Sequence, residues 1–285
     1  MVNRIYDILE KIIASDPSAV VLSADMFNSG RINNNYHSQI LNVGLSETNS
    51  VSIAAGMSFE GKRVFLYCVS GFTIERAYEQ IKYCIGACNT PVYFICTGFG
   101  WYLSQVGRGH HPTSDLLLMK TIPNMQIDIP ASFCSAEEML NQKINHPHYM
   151  RLGCTSEKTK VIQGNEMIVA ALGSCYDLCL EAFNEFGISD KGIGLIPIEH
   201  IDEDYIRNIA ASNSGNTKYF IIEDHLHLHC MQDSFISNGG KVCGVLSLPS
   251  IIEEKLNSPE KLREAYGFGA KQIIEKILMS WNSST

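Results

Sequence analysis

Apolar residues follow two alternating patterns along the chain. Short, nearly continuous apolar runs predict buried strands; they lie at residues 19–23, 40–43, 63–69, 92–96, 125–129, a run ending near 150, 167–171, 193–198, 219–222 and 242–248. Apolar positions three or four residues apart predict helices between them; these lie at 3–14, 46–61, 75–88, 136–141, 176–186, 204–211 and from 259 and 270 onwards. Strands separated by helices in this way predict parallel sheets covered on both faces, and therefore an α/β fold.

One polar stretch, residues 152–165, shows neither pattern. The alternation of strands and helices is complete before it and starts again after it. We therefore predict two doubly wound α/β domains, 1–155 and 165–285, of which the second is smaller.

Composition and charge narrow the class of protein. The chain has 285 residues, 45% of them hydrophobic, and a net charge of −8, which argues against nucleic acid or an anionic membrane as the main partner. Residues 1–15 read as an amphipathic helix and not as a secretory signal, and no apolar run reaches the roughly 20 residues that span a bilayer. We therefore expect a cytoplasmic protein.

The ten cysteines contain no C-x-x-C pair. Four of them are helical neighbours at i, i+4 and two lie in predicted strands, which favours buried, reduced thiols over a disulfide framework; they are Cys84, Cys88, Cys175, Cys179, Cys68 and Cys96.

The segment 42–61 (NVGLSETNSVSIAAGMSFEG) is predicted to turn at Gly44 and to begin a helix at Ser46, the N-cap, which stops at Gly61. Glu47 falls in the first turn, where the helix dipole favours a carboxylate. Its role is either helix stabilisation or chemistry, and the segment alone leaves both open.

Two further positions are candidates for chemistry. Phe72 lies between a predicted strand and a helix, at the sheet edge where ligands bind in parallel sheets, so it either stacks on a flat ring or belongs to the core. His110 and His111 are adjacent in a glycine-rich loop, where a residue that titrates near neutral pH is either functional or structural.

The segment 223–230 (EDHLHLHC) carries His225, His227 and His229 at alternate positions. It lacks the second ligand pair of a zinc site, so we expect a polar turn or an interface loop in preference to a metal site. There is no G-x-G-x-x-G fingerprint after the first strand and no P-loop, which argues against a self-contained dinucleotide or nucleotide site.

Taken in order, these motifs resemble the transketolase family of thiamine-diphosphate enzymes, specifically the pyrimidine-binding domain followed by the C-terminal domain. The resemblance covers nearly the whole chain. It rests on SAD (23–25), GLSETNSVSIAAGM, FTIERAYEQI, GRGHHPTSDLLLM followed by IPNM, HYMRLG, IIEDH and EKLREAYGFGAKQIIEKIL.

The resemblance implies roles for individual residues. Glu47 matches the glutamate that hydrogen-bonds the aminopyrimidine and sets its tautomer. Phe72 matches the aromatic residue that stacks on that ring, and His110 matches the histidine that contacts donor hydroxyls and assists proton transfer. By the same resemblance Ser70 and Arg76 are expected at the cofactor, and His111, Arg31 and Asp25 at the substrate.

The departures from the family imply a split enzyme. The Gly-Asp-Gly motif and later Asn that bind the diphosphate and Mg²⁺ in single-chain members have no match here. The resemblance therefore implies a partner chain that carries the Mg²⁺ ligands, in an α2β2 heterotetramer. Val106 stands where many relatives have a substrate-binding aspartate, and Arg151 is one arginine where relatives often have two. Arg31 is the substitute we expect if the substrate carries a phosphate.

The function expected from this resemblance is transfer of a two-carbon ketol unit from a ketose donor to an aldehyde acceptor. Two alternatives remain: the β subunit of the E1 component of a 2-oxo acid dehydrogenase, which shares the two-domain layout, and a non-catalytic scaffold subunit. The HHPTSD loop and the FTIERAYEQI segment favour the transketolase, and the trio Glu47, Phe72 and His110 argues against a scaffold.

Overall fold

A computed structural model describes residues 2–26, 31–32, 34–103, 105–212, 216–226, 230–249 and 258–283. Its first sheet has six strands, all parallel, in the order β2-β1-β3-β4-β6-β5. These strands are β1 (Ala19–Ser23), β2 (Ile40–Asn42), β3 (Arg63–Val69), β4 (Val92–Thr97), β5 (Gln126–Asp128) and β6 (His148–Arg151). Each lies within two residues of its predicted position.

The helices of this first unit cover both faces of the sheet. They are α1 (Val2–Ser15), α2 (Glu47–Phe59), α3 (Tyr78–Gln80), α4 (Asp115–Lys120) and α5 (Phe133–Asn141). The helix predicted at 75–88 differs in form: α3 is a short piece between two π-helical segments, Gly71–Glu75 and Ile81–Ala87. Such wide turns are rare and are frequently found at functional sites.

The second sheet has four parallel strands in the order β10-β9-β7-β8. They are β7 (Met167–Leu172), β8 (Ile193–Ile198), β9 (Lys218–Leu226) and β10 (Lys241–Leu248), and the helices are α6 (Gly173–Phe186), α7 (Glu203–Ala211), α8 (Cys230–Ser237), α9 (Pro259–Ala265) and α10 (Ala270–Asn282). The predicted α/β class is confirmed by these two parallel sheets.

Strand β9 continues further than predicted. The expectation of a polar turn or interface loop is wrong for Glu223, Asp224 and His225, which lie inside β9 and are 2% exposed or less. These polar residues tolerate burial because they pair with charged or polar neighbours. The prediction was wrong because it took polar side chains as a sign of an exposed turn. His227 and His229 lie outside the described residues.

One of the two apolar core clusters is shared by the two units. One face of the first sheet packs against α1 and α5 through residues such as Leu9 and Phe65. The other face packs against α2 and the 71–87 segment, and this cluster continues without a break into the second sheet. Backbone bonds also cross between the units, from the Ile129 amide to the Glu199 carbonyl (2.7 Å) and from the Ile201 amide to the Ile127 carbonyl (3.1 Å).

Free thiols account for all nine cysteines whose side chains the structure describes. The predicted burial is confirmed for Cys68, Cys96, Cys175 and Cys179, whereas Cys84 is half-buried and Cys88 is exposed. Burial raises the pKa of the Cys96 thiol well above its usual value, which disfavours the reactive thiolate. Within the described ranges, no helix has the length and apolar character needed to cross a membrane.

Candidate functional site

The carboxyl-terminal ends of β1, β2 and β3 meet at one edge of the first sheet, because these strands are parallel neighbours. Asp25 follows β1 in a left-handed conformation (φ 58°). Asn42, the last residue of β2, holds it: the Asn42 Oδ1 accepts from the Asp25 amide (3.0 Å), and the Asn42 Nδ2 donates to the Asp25 carboxylate (3.1 Å). Asn42 was not among the predicted site residues, although a polar residue at the end of an apolar strand is a signal for this position.

Glu47 is the first residue of α2, as predicted. Gly44 has φ 73° and Gly61 has φ 79°, which agrees with the predicted turn and stop. Ser46 occupies the N-cap, but its hydroxyl donates to the Val43 carbonyl (2.8 Å) and caps no amide of the helix. The positive end of α2 is therefore left to the Glu47 carboxylate, whose side chain is only 11% exposed.

Four of the predicted residues form one cluster at this edge. The Glu47 Oε2 lies 3.6 Å from the Arg76 Nη1. The Arg76 guanidinium lies over the Phe72 ring, 4.5 Å from its centroid, in a cation–π contact. The Phe72 and His110 rings meet edge to face, with centroids 4.6 Å apart. A carboxylate, a cation, an aromatic ring and an imidazole are thus brought together from three separate segments.

The loop that carries His110, residues 98–114, is held tightly against the Gly71–Glu75 turn. A Cβ atom at position 71 would lie 3.3 Å from the Gly109 carbonyl oxygen and 3.4 Å from Pro112, so only glycine fits there without displacing the loop. The Ser114 hydroxyl donates to the Glu75 carboxylate (3.0 Å). Close contact at Gly71 is therefore what places the His110 ring beside Phe72.

The other predicted site residues lie outside this cluster. Ser70 is fully buried, with its hydroxyl 3.0 Å from the Tyr149 hydroxyl. His111 is 7% exposed, and its Nε2 lies 3.2 Å from the Leu103 carbonyl oxygen. Arg31 is exposed over the ring of Tyr6, 5.8 Å from its centroid.

Arg151 is placed where it cannot bind a substrate phosphate. It is fully buried and pairs with Asp115 and Asp224. Burial opposes its charge, but the two aspartates outweigh this and raise the pKa of the guanidinium further. The prediction did not anticipate this cluster, because its three members are far apart in sequence.

The residues of the cluster fit a flat, polar heteroaromatic ring. Phe72 is half-buried and offers an aromatic surface beside the Glu47 carboxylate. The adjacent Thr73 hydroxyl is buried without a hydrogen-bond partner among the described residues. An unsatisfied buried hydroxyl is costly, which is consistent with a polar ligand nearby. No group of three or more His, Cys, Asp or Glu residues within the described ranges could hold a metal ion.

Comparison with known proteins identifies a matching family and related sequences. Residues 1–155 match the family described as "Transketolase, pyrimidine binding domain". The chain is 22% identical to one subunit of the apulose-4-phosphate transketolase of Phocaeicola vulgatus, over 77% of each chain. It is 30% identical to 1-deoxy-D-xylulose-5-phosphate synthase of Pelotomaculum thermopropionicum, over 85% of this chain and 41% of the synthase.

A solved structure shows the same fold over almost the whole length. The structure titled "Split gene transketolase, inactive beta4 tetramer" has a TM-score of 0.79 and 21% identity, and the match covers 99% of this chain and 98% of that one. Together with the family match over residues 1–155, these findings confirm the resemblance seen in the sequence. The chain belongs to the transketolase pyrimidine-binding domain family, which implies thiamine diphosphate as its cofactor.

Proposed function

We propose that this chain is the pyrimidine-binding subunit of a split, thiamine-diphosphate-dependent transketolase. It transfers a two-carbon ketol unit from a ketose donor to an aldehyde acceptor. The observation that carries the proposal is the cluster of Glu47, Arg76, Phe72 and His110 at one sheet edge of a chain from this family.

Each residue of the cluster has a part that its surroundings support. Bound thiamine diphosphate supplies the electron sink that the side chains lack. The mostly buried Glu47 carboxylate accepts a hydrogen bond from the aminopyrimidine and so fixes its tautomer, while Phe72 offers a ring surface that orients it. Arg76 forms an ion pair with Glu47 and lies over one face of the Phe72 ring. His110, whose ring meets Phe72 edge to face, exchanges a proton with a substrate hydroxyl.

The substrate residues that we propose are Asp25, His110 and Arg31, and we propose that His111 acts on the substrate indirectly, through His110. Asp25 is held by Asn42 at the strand ends and presents a carboxylate to substrate hydroxyls. His111 is buried, so it acts by holding the loop under His110. Arg31 is exposed and is our proposed contact for an anionic group if the sugar carries one. Ser70 is buried directly before the turn that carries Phe72. It acts on the cofactor indirectly, by holding this turn in place.

A partner chain completes the proposed enzyme. We propose that it carries the diphosphate-binding domain with the Mg²⁺ ligands, and that two copies of each chain form an α2β2 heterotetramer in the cytoplasm. Leu45, two residues before Glu47, is 79% exposed, and Met26, which follows Asp25, is 41% exposed. Apolar side chains exposed beside a site favour a subunit surface there. The domains that we propose for this subunit are 1–155 and 165–285.

The test is reconstitution. The purified chain is mixed with a candidate partner chain that carries the Gly-Asp-Gly motif, with thiamine diphosphate and Mg²⁺, and ketol transfer from a ketose to an aldehyde is measured. We expect activity only in the mixture, and a loss of about 100-fold or more with Glu47→Ala, the scale of general acid–base catalysis. Glu60→Ala, at the other end of α2, is the matched control and is expected to retain activity.

Three outcomes would contradict the proposal in different ways. Full activity of the single chain would overturn the split-enzyme assembly. Release of CO2 from a 2-oxo acid would favour a 2-oxo acid dehydrogenase subunit or a synthase of the kind that the chain also resembles. Partner binding without turnover of any substrate would favour a scaffold subunit.

A further inference from the structure

Behind the 98–114 loop lies a cluster of buried charges that the proposed chemistry does not use. Its members are Asp115, the first residue of α4; Arg151, the last residue of β6; and Asp224 in β9. Asp115 and Arg151 are fully buried, and Asp224 is 2% exposed. Two of these residues belong to the first sheet unit and one to the second, so the cluster joins the two units.

Arg151 bonds to both aspartates. Its Nε donates to the Asp115 Oδ2 (2.8 Å), its Nη2 donates to the Asp224 carbonyl oxygen (3.0 Å), and its Nη1 donates to the Asp224 carboxylate. The Ser174 hydroxyl also donates to the Asp224 Oδ1 (2.7 Å). The guanidinium rests on the Phe99 ring, 3.9 Å from its centroid. Arg151 is therefore held in position from both units and by the 98–114 loop itself.

A hydrogen-bonded chain connects this cluster to the Phe72 turn. The Tyr149 hydroxyl donates to the Asp115 Oδ2 (2.7 Å). Since a tyrosine hydroxyl has one proton, the Ser70 hydroxyl, 3.0 Å away, is the donor to Tyr149. Ser70 immediately precedes the Gly71–Glu75 turn that carries Phe72. A displacement of Asp115 would therefore reach Ser70 through two hydrogen bonds, and Phe72 through the backbone that follows Ser70.

Strand β9 also holds the 98–114 loop directly. The Leu226 amide donates to the Thr113 carbonyl (2.7 Å), and within the loop the Gly100 amide donates to the Pro112 carbonyl (2.9 Å). A Cβ atom at position 100 would lie 3.1 Å from the Asp224 carbonyl oxygen, so the loop backbone is in contact with β9. Thr113 is three residues from His110.

We propose that strand β9 positions the candidate site from the second sheet. Asp224 and Arg151 are positioning residues for His110, and Asp115 and Tyr149 are positioning residues for Phe72. Stability alone explains the cluster poorly, because a buried ion pair is often no more stabilising than apolar residues of similar volume. What the cluster does provide is a single geometry, since a guanidinium that donates hydrogen bonds from all three of its nitrogens is held in one orientation. The proposal deepens the proposed function and rests on it for the readout of turnover.

A double-mutant cycle in the reconstituted complex tests this coupling. Asp224→Asn keeps the shape of the side chain and removes its charge. We expect it to lower kcat about 10-fold or more, because small misplacements of reacting groups are costly. In a His110→Ala background the same change should have little further effect, because Asp224 acts through His110. A merely structural role predicts equal effects in both backgrounds.

The matched control is Asp128→Asn. Asp128 is also a buried carboxylate that bonds across both units, through His200, but it lies on β5, the far edge strand of the sheet. The Asp128→Asn variant is expected to be less stable and to show the same effect on kcat with and without His110. Tyr149→Phe is the gentler second variant, since it keeps every charge and removes only the hydroxyl that joins Ser70 to Asp115.

Hydrogen exchange of the single full-length chain separates this inference from the proposed function, because it needs no turnover. Asp224→Asn should speed exchange in residues 98–114, Tyr149→Phe should speed it in residues 70–75, and Asp128→Asn should leave both segments unchanged. Unchanged exchange in the first two variants, or additive kcat effects, would overturn the positioning role. Faster exchange in these variants of the single chain, together with a complex that transfers no ketol unit, would support the positioning role and overturn the proposed function alone.

Discussion

Gly56 and Gly86 lie on neighbouring helical segments, but Gly86 is closely packed and Gly56 is not. A Cβ atom at Gly86 would lie 2.4 Å from the Ile122 Cγ2 and 2.9 Å from the Pro123 carbonyl oxygen, so the segment needs glycine to approach this close. Gly56, in the middle of α2, has no atom within 4 Å of its Cβ position. The same residue type is therefore a packing requirement at one position and only a cost in helix propensity at the other.

The two glycines predict opposite changes in stability. Gly56→Ala should raise the free energy of unfolding of the isolated chain by about 0.5–1 kcal/mol, because alanine favours a helix interior. Gly86→Ala should lower it by about 1–3 kcal/mol, the usual cost of overpacking. Urea unfolding followed by circular dichroism measures both. Equal effects at the two positions would mean that the contact between the 81–87 segment and Pro123 is looser than described.

Helix α2 has a surface that this chain does not cover. The side chains of Ser50, Val51, Ala54 and Ala55 are buried in the core, whereas Phe59 at the end of the helix is exposed. Leu45, in the turn that precedes α2, is more exposed still. Since Leu45 lies two residues before Glu47, a partner that docks on Leu45 would close over the proposed cofactor site.

This surface predicts which change blocks assembly. Leu45→Asp should weaken binding of the partner chain at least 10-fold, because burying an unpaired carboxylate in an interface is costly. Met279→Asp is the control: Met279 is 67% exposed on α10, so it has similar apolar exposure on a helix of the second unit. Calorimetric titration with the partner chain provides the measurement. The docking surface would be misassigned if both variants bound equally well.

At the scale of the whole molecule, the two sheet units meet at a second buried charge, Asp128. Its carboxylate bonds to the His148 Nδ1 (2.6 Å) within the first unit and to the His200 Nδ1 (2.9 Å) in the second. Burial opposes ionisation of Asp128, but the two histidines outweigh it and hold the carboxyl pKa below its usual value. Burial also opposes the charge on His200, but its hydrogen bond to Asp128 outweighs this and raises the pKa of His200.

The raised pKa of His200 gives the contact between the units a defined pH dependence. A group whose pKa is higher in the folded chain stabilises it fully below the unfolded value, about 6.5, and loses that contribution as the pH rises through the folded value. His200→Gln should therefore lower the free energy of unfolding by about 1 kcal/mol at pH 5.5. The difference from the unchanged chain should shrink at pH 8.5.

The control for this prediction is His37→Gln, at a histidine of the first unit whose Nε2 lies 3.1 Å from the Ile32 carbonyl oxygen. It shows how much a histidine-to-glutamine change alters the free energy of unfolding at each pH away from Asp128. Unfolding measured at both pH values checks this. A difference for His200→Gln that grows with pH would show that the neutral form of His200 is the one that stabilises the contact.

Local patterns predicted most of the fold, because each strand and helix depends on a short-range period. The strands 19–23, 63–69 and 193–198 match their predicted bounds. The errors lie where tertiary contacts override the local pattern. The 71–87 segment is π-helical at both ends, and β9 carries buried polar residues that read as a turn.

By itself, the sequence determined the α/β class, the order of the strands along the chain, the turn at Gly44 before Glu47, and the family, because these depend on residues that are close in sequence. Only the tertiary structure decided which of the distant residues meet. It brought Glu47 to Arg76 and His110 to Phe72, and it placed Arg151 between two buried aspartates. Pairing of this kind depends on strand order and loop packing, which no local period in the chain records.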